Sequence, residues 1–126
     1  MVAVDTSTLS AFLIGEDAPD VHALITAIEQ EQLILPPMVI SEILSANSLA
    51  DLAAETLLVL PRLNLPINFW ETVGKNRRIL LNQGLKARLA DSMIATLCIM
   101  TKSSLIARDG DYKHFEREFA LKMVAY

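Results

Sequence analysis

Cysteine is almost missing from this chain of 126 residues, where Cys98 stands alone. One thiol excludes an internal disulfide, and the isolated His22 and His114 leave no Cys/His spacing for a zinc site. Cys98 lies in the apolar run 93–100 and reads as a small core hydrophobe. An excess of basic residues is also lacking. Lys and Arg number 11 against 15 Asp and Glu, a net charge of −4, which argues against holding nucleic acid by bulk electrostatics alone. Long hydrophobic runs are absent: none reaches the ~18 residues of a membrane span. The N-terminus has neither the basic start nor the long apolar stretch of a signal peptide. Together with the lone thiol, this predicts a reducing, cytoplasmic location and no membrane contact. Linkers, repeats and low-complexity tracts are missing too, so 1–126 reads as a single domain.

What the chain has is apolar material. With 52% hydrophobic residues it can fill one core. Short apolar runs alternate with helical patterns. Candidate strands are 2–4, 33–35, 63–65, 104–107 and 123–125. They lack clear alternation, as strands buried on both faces do. Helical spacing appears over about 20–31, from Pro36-Pro37 onward, and over 50–59, 67–83, 91–101 and 112–119. Proline suits a first helical turn, and the stretch 91–101 is apolar nearly all round, hence central. The order predicts an α/β sandwich around a mostly parallel sheet of four to five short strands. In such folds sites lie at the carboxyl ends of strands.

Acids stand at those ends. Asp5 follows the first strand. Glu42 lies in the helix after the second, about 60° from Val39 at ~100° per residue, on the edge of the apolar face. Asp91, in "LADSMIATL", opens the central helix. Asp109, in "SLIARDGDY", follows the fourth strand, with Asp111 two residues on. Singly, each has a simpler explanation. Asp5, Asp91 and Asp111 suit helix N-caps, Asp109-Gly110 suits a turn, and Glu42 suits a solvated helix edge. Together they converge on one end of a parallel sheet. Clustered carboxylates repel, by about 1 kcal/mol per pair at ~4 Å in bulk water and about 4 at an effective dielectric of 20. A hard divalent cation, Mg²⁺ or Mn²⁺, reverses that cost.

With "VDTSTL", "SEIL" after the double proline, "ADSMIATL" and "ARDGDY" in this order, the whole chain resembles the PIN domain, and most of all the VapC-type toxin ribonucleases. The resemblance implies a three-layer α/β/α sandwich and a metal-dependent endoribonuclease, the toxin of a type II toxin–antitoxin pair. It implies that Asp5, Glu42, Asp91 and Asp109, with Asp111 as the other candidate for the fourth acid, bind one or two Mg²⁺ or Mn²⁺ ions. A hydroxyl from Thr6 or Ser7 would support them. It further implies a homodimer and a small antitoxin that covers the site. The chain departs from the family's usual pattern at Ala107, where Thr or Ser is common, and at Tyr112, where Phe is.

An acidic ribonuclease needs local cations. Lys75, Arg77, Arg78, Lys86 and Arg88 cluster shortly before Asp91, and Arg108 adjoins Asp109. Such residues position RNA phosphates without reading sequence, or simply solvate a helix face. Leu49, Leu52, Leu57, Leu58 and Trp70 offer more apolar helix surface than one small core needs, with Trp70 expected inside. Two other readings compete. One is a catalytically silent PIN-like binding module. The other is a receiver-type regulatory domain, which would need an acidic pair after strand one and an Asp after strand three. Thr6 beside Asp5 and Leu65-Pro66 argue against the receiver.

Overall fold

The computed structural model describes residues 1–108 and 110–126; Asp109 lies outside the described residues. The chain runs β1 (Val2–Val4), α1 (Thr6–Leu13), α2 (Pro19–Glu29), α3 (Pro37–Leu44), α4 (Asp51–Val59), α5 (Phe69–Asn82), α6 (Leu89–Thr101), β2 (Ser104–Ile106), a 3-10 turn (Gly110–Tyr112) and α7 (Lys113–Phe119). β1 and β2 pair in parallel, Val2 with Ser104, Ala3 with Leu105 and Val4 with Ile106.

The α/β order and the parallel direction are as expected, but the sheet is smaller. Among the described residues only β1 and β2 reach strand length. The other three candidate strands meet their neighbours at single parallel bridges: Val2 with Leu33, Leu35 with Arg62, and Leu105 with Met123. Backbone bonds still link them in the order expected of a sheet. Leu35 N–H donates to the Pro61 carbonyl and Leu63 N–H to Leu35, both at 2.8 Å; Ile34 N–H donates to Val2 at 2.9 Å. Proline explains part of the shortening. Pro36 directly follows Leu35 and Pro61 precedes Arg62, and a residue without an N–H cannot extend a ladder.

Helix starts follow local chemistry. Pro19 and Pro37 stand in the first turns of α2 and α3. Asp5, extended at φ −79° and ψ 160°, is the N-cap of α1. Asp91 is not a cap: α6 begins two residues earlier, after Arg88, and Asp91 lies inside its first turn. There a carboxylate still meets the positive end of the helix dipole.

The core gathers around the strand pair. Ala3, Val4, Leu105 and Ile106 pack with Leu9 of α1, Leu24 of α2, Val39 and Ile40 of α3, and Ile94, Ala95 and Cys98 of α6. The central position expected for the 91–101 stretch holds: residues 94–98 are all buried. A smaller cluster of Phe69, Val73 and Leu97 joins α5 to α6. Trp70 departs from expectation. It is 60% exposed and meets Phe69 only edge to face, with ring centroids 4.9 Å apart. Phe69 occupies the inward position, and the next helical residue points about 100° away. Leu57 is buried, whereas Leu52 and Leu58 are exposed.

A polar clamp centred on the buried Asp20 fixes the region next to the strand ends. The Thr8 hydroxyl of α1 donates to Asp20 of α2 at 2.8 Å. Arg108, just beyond β2, grips Asp20 with two nitrogens, Nε to Oδ2 at 2.9 Å and Nη2 to Oδ1 at 3.2 Å, and reaches Glu16 at 3.2 Å. The Arg108 guanidinium is the main reason the Asp20 carboxyl is held below its ordinary pKa. The neighbouring helices α1 and α2 are thereby tied to the end of β2, 88 positions beyond Asp20.

Candidate active site at the strand ends

Asp5 leaves β1 and is 7% exposed. Its Oδ1 accepts the Thr6 backbone N–H at 2.7 Å, and its Oδ2 accepts the Ser7 hydroxyl at 3.2 Å. The first is a capping contact, the second joins two side chains, and together they hold the carboxylate in one orientation. A third partner comes from the far end of the chain. The Tyr112 hydroxyl lies 2.9 Å from Asp5 Oδ1 and 3.5 Å from Asp91 Oδ1. One buried phenol therefore stands between the two carboxylates. Burial, followed by the charges of Asp5 and Asp91, pushes the Tyr112 pKa well above its ordinary value, so the phenol stays a donor.

Glu42 joins through Thr6, whose hydroxyl donates to Glu42 Oε1 at 2.7 Å. Thr6 thus touches Asp5 with its backbone and Glu42 with its side chain. Glu42 itself is exposed, as its place on the edge of α3 predicts. Asp91 and Asp111 line one small pocket with Lys86, Arg88, Gly110 and His114. Asp109 lies outside the described residues, and the choice between it and Asp111 as fourth acid rests on the sequence.

The basic residues divide. Lys75 and Arg78 are exposed on α5, and Lys86 and Arg88 are exposed before α6. Arg77 instead donates through Nε to the Ala87 carbonyl at 2.8 Å, bracing the α5–α6 connection. Arg108 was expected to contact RNA, but the structure engages it with Asp20 and Glu16. The bond to Asp20 is bidentate, and the Arg108 side chain stays about 35% exposed. Cys98 is inert as expected: burial, with the nearby Asp5 charge, pushes its thiol up to about 12. His22 pairs with Asp17 on the surface.

The pattern of the PIN domain matches residues 2–118. This chain belongs to the PIN domain family. Its fold is shared with solved structures at low sequence identity. VapBC2 from Rickettsia felis, bound to a DNA fragment from their promoter, aligns with a TM-score of 0.74 at 14% identity, over 100% of this chain and 99% of that one. FitAcB from Neisseria gonorrhoeae gives 0.72 at 16%, over 99% and 97%. DNA-bound VapBC from Salmonella typhimurium gives 0.68 at 16%, over 98% and 96%. No curated protein matches the chain by sequence.

PIN domains are in general nucleases and typically use divalent metals, so the donor chemistry of this site is the relevant test. Among the described residues, no three carboxylate, imidazole or thiolate side chains gather into a ready-made metal cage. Asp5 and Asp91 do share a hydroxyl, and both present hard oxygen. Mg²⁺ is commonly held by one or two carboxylates, with water and substrate phosphate completing its shell. The residues present fit that mode of binding.

Sequence reasoning passed over the Tyr112 hydroxyl and His114. Tyr112 carried a signal, since it stands where the family commonly has Phe. A hydroxyl added to a buried ring must find a partner, and here it finds two acids.

Proposed function

We propose that this PIN domain is an Mg²⁺- or Mn²⁺-dependent endoribonuclease and the toxin component of a type II toxin–antitoxin pair. The observation that carries the reading is the pairing of Asp5 and Asp91 across the Tyr112 hydroxyl at the strand ends, with Glu42 tied to Asp5 through Thr6. Asp5 and Asp91 would hold the cation, with Glu42 and either Asp109 or Asp111 completing the acidic set. A bound divalent ion supplies hydroxide near neutral pH and stabilises the charge that develops on phosphate. The chain's own work is orientation. Thr6 and Ser7 fix Asp5, Tyr112 holds Asp5 and Asp91 in register, and the Arg108–Asp20 clamp steadies the end of β2. Lys75, Arg78, Lys86 and Arg88 position RNA through its phosphates.

The partner reading rests on exposed apolar surface. A cleft of about 280 Å³ lined by Leu13, Ile14, Ile43, Leu49 and Ala53 opens beside Glu42. Leu52, Leu58, Val59, Ile67 and Trp70 are also exposed. A small antitoxin covering the cleft and a second copy of the chain would remove such surface from water. The solved VapBC and FitAcB structures share the fold and prompt this assignment.

The test is direct. Purified protein should cleave single-stranded RNA with Mn²⁺ or Mg²⁺, stop in EDTA, and lose activity on Asp91→Asn. Metal-dependent binding without cleavage would instead support a silent binding module.

A further inference from the structure

The small pocket beside Asp91 has a wall that the acidic site does not use. It measures about 100 Å³ and is lined by Lys86, Arg88, Asp91, Gly110, Asp111 and His114. Its walls come from the segment before α6, from α6 itself, and from the 3-10 turn with α7. Two cations and an imidazole thus line one cavity with room for several waters.

His114 is the unusual member. It is half-buried, and its Nδ1 is sealed from solvent without a hydrogen-bond partner. A buried N–H lacking an acceptor is the costlier kind of orphan, whereas an unsatisfied lone pair is better tolerated. The ring is therefore favoured with its proton on Nε2. His114 adjoins Phe115, which is fully buried and anchors α7 in the core. An anchored ring with one fixed donor suits recognition of an oxygen acceptor.

We propose that this pocket seats one phosphate of the RNA strand and that His114 contacts it, donating Nε2–H to a non-bridging oxygen beside the charges of Lys86 and Arg88. This rests on the ribonuclease reading above. Lys86 and Arg88 supply charge from exposed side chains, while His114 supplies direction. The adjoining Asp91 and Asp111 disfavour a free anion, so the pocket selects a phosphate carried by a strand that other contacts also hold. His114 would thus set where the strand lies relative to Asp91.

Three variants test the assignment. Glutamine can place its amide nitrogen near the Nε2 position, whereas asparagine reaches only as far as Nδ1. Phenylalanine keeps the ring and loses the donor. Each is assayed for cleavage of a fluorogenic single-stranded RNA, for binding of the same RNA by anisotropy in the Asp5→Asn background, and for melting temperature. Losing a hydrogen bond to a charged phosphate should raise KM and Kd by roughly tenfold for His114→Phe and His114→Asn. The value of kcat should stay within about twofold if the contact is equally strong in ground and transition states. His114→Gln should recover most of the affinity. If His114→Phe folds poorly, the Gln and Asn pair decides, and equal KM and Kd in those two overturn the proposal. Wild-type KM in every His114 variant of an active enzyme also overturns it while leaving the ribonuclease reading intact. A wild-type protein that cleaves no RNA with either metal defeats that reading and this proposal together.

Discussion

Asp5→Asn separates the two roles that Asp5 combines. Asparagine caps helices about as well as aspartate, so the contact from Thr6 N–H can survive. The side-chain oxygen can also still accept from Tyr112, and the new amide can donate to the Ser7 hydroxyl, which turns to accept it. What changes is charge. Tyr112 lies 2.9 Å from one carboxylate and 3.5 Å from the other. The two acceptor oxygens are therefore at most about 6.4 Å apart, where like charges repel by about 2.6 kcal/mol at an effective dielectric of 20 and about 0.65 in bulk water. Asp5 is buried and Asp91 half-buried, so the repulsion lies between those limits. Replacing charge-assisted hydrogen bonds with neutral ones costs about 1 kcal/mol. The net effect in EDTA runs from nothing to about 2 kcal/mol of stabilisation. At roughly 4 °C per kcal/mol for a chain of this size, the melting temperature should hold or rise by up to about 8 °C. In wild type, a cation at about 100 times its Kd adds about 2.7 kcal/mol. The variant should lose most of that gain and all RNA cleavage. The assay is a thermal melt in EDTA and in Mn²⁺, paired with RNA cleavage. Wild-type cleavage with an unchanged metal requirement would reduce Asp5 to a cap. A drop of more than about 5 °C in EDTA would show that its charge stabilises the fold, contrary to the repulsion argument.

Other outcomes follow from the same contacts. Tyr112→Phe removes the donor shared by Asp5 and Asp91 and should cost about 1.5–3 kcal/mol in urea unfolding without metal; an unchanged midpoint would mean that the hydroxyl is not needed there. Thr8→Val removes a buried bond to Asp20 and should cost about 1.5 kcal/mol at pH 7. Because the folded pKa of Asp20 is lowered, chiefly by Arg108, stability from its charged form is present above its unfolded pKa and lost as pH falls through the lower folded value. The Thr8→Val deficit should therefore persist near neutrality and shrink in acid below about pH 4, and a deficit that grows on acidification would contradict this sign. Arg78→Glu with Lys75→Glu should weaken RNA binding and flatten its dependence on salt with little change in stability, since both side chains are exposed. An unchanged salt slope would return α5 to a solvated face.

By itself, the sequence determined most of the helices, the two strands and the acidic candidates after them. Periodicity marked most of the helices because burying one face requires it, and the double proline marked the start of α3 because proline fits a first turn. The short apolar runs revealed that the sheet is parallel, and the places of Asp5 and Glu42 after such runs were legible too. Strand length was not legible, since it depends on which backbone groups find partners across the sheet. Tertiary structure alone decided the fate of individual polar groups. It brought the Tyr112 hydroxyl to Asp5 across 107 positions, and Arg108 to Asp20 across 88. It sealed His114 Nδ1, and it turned Trp70 outward while burying its neighbour Phe69. Local pattern records how strongly a residue avoids or seeks water. It does not record which partner a buried donor meets, because that partner is supplied by a distant segment only once the core has closed.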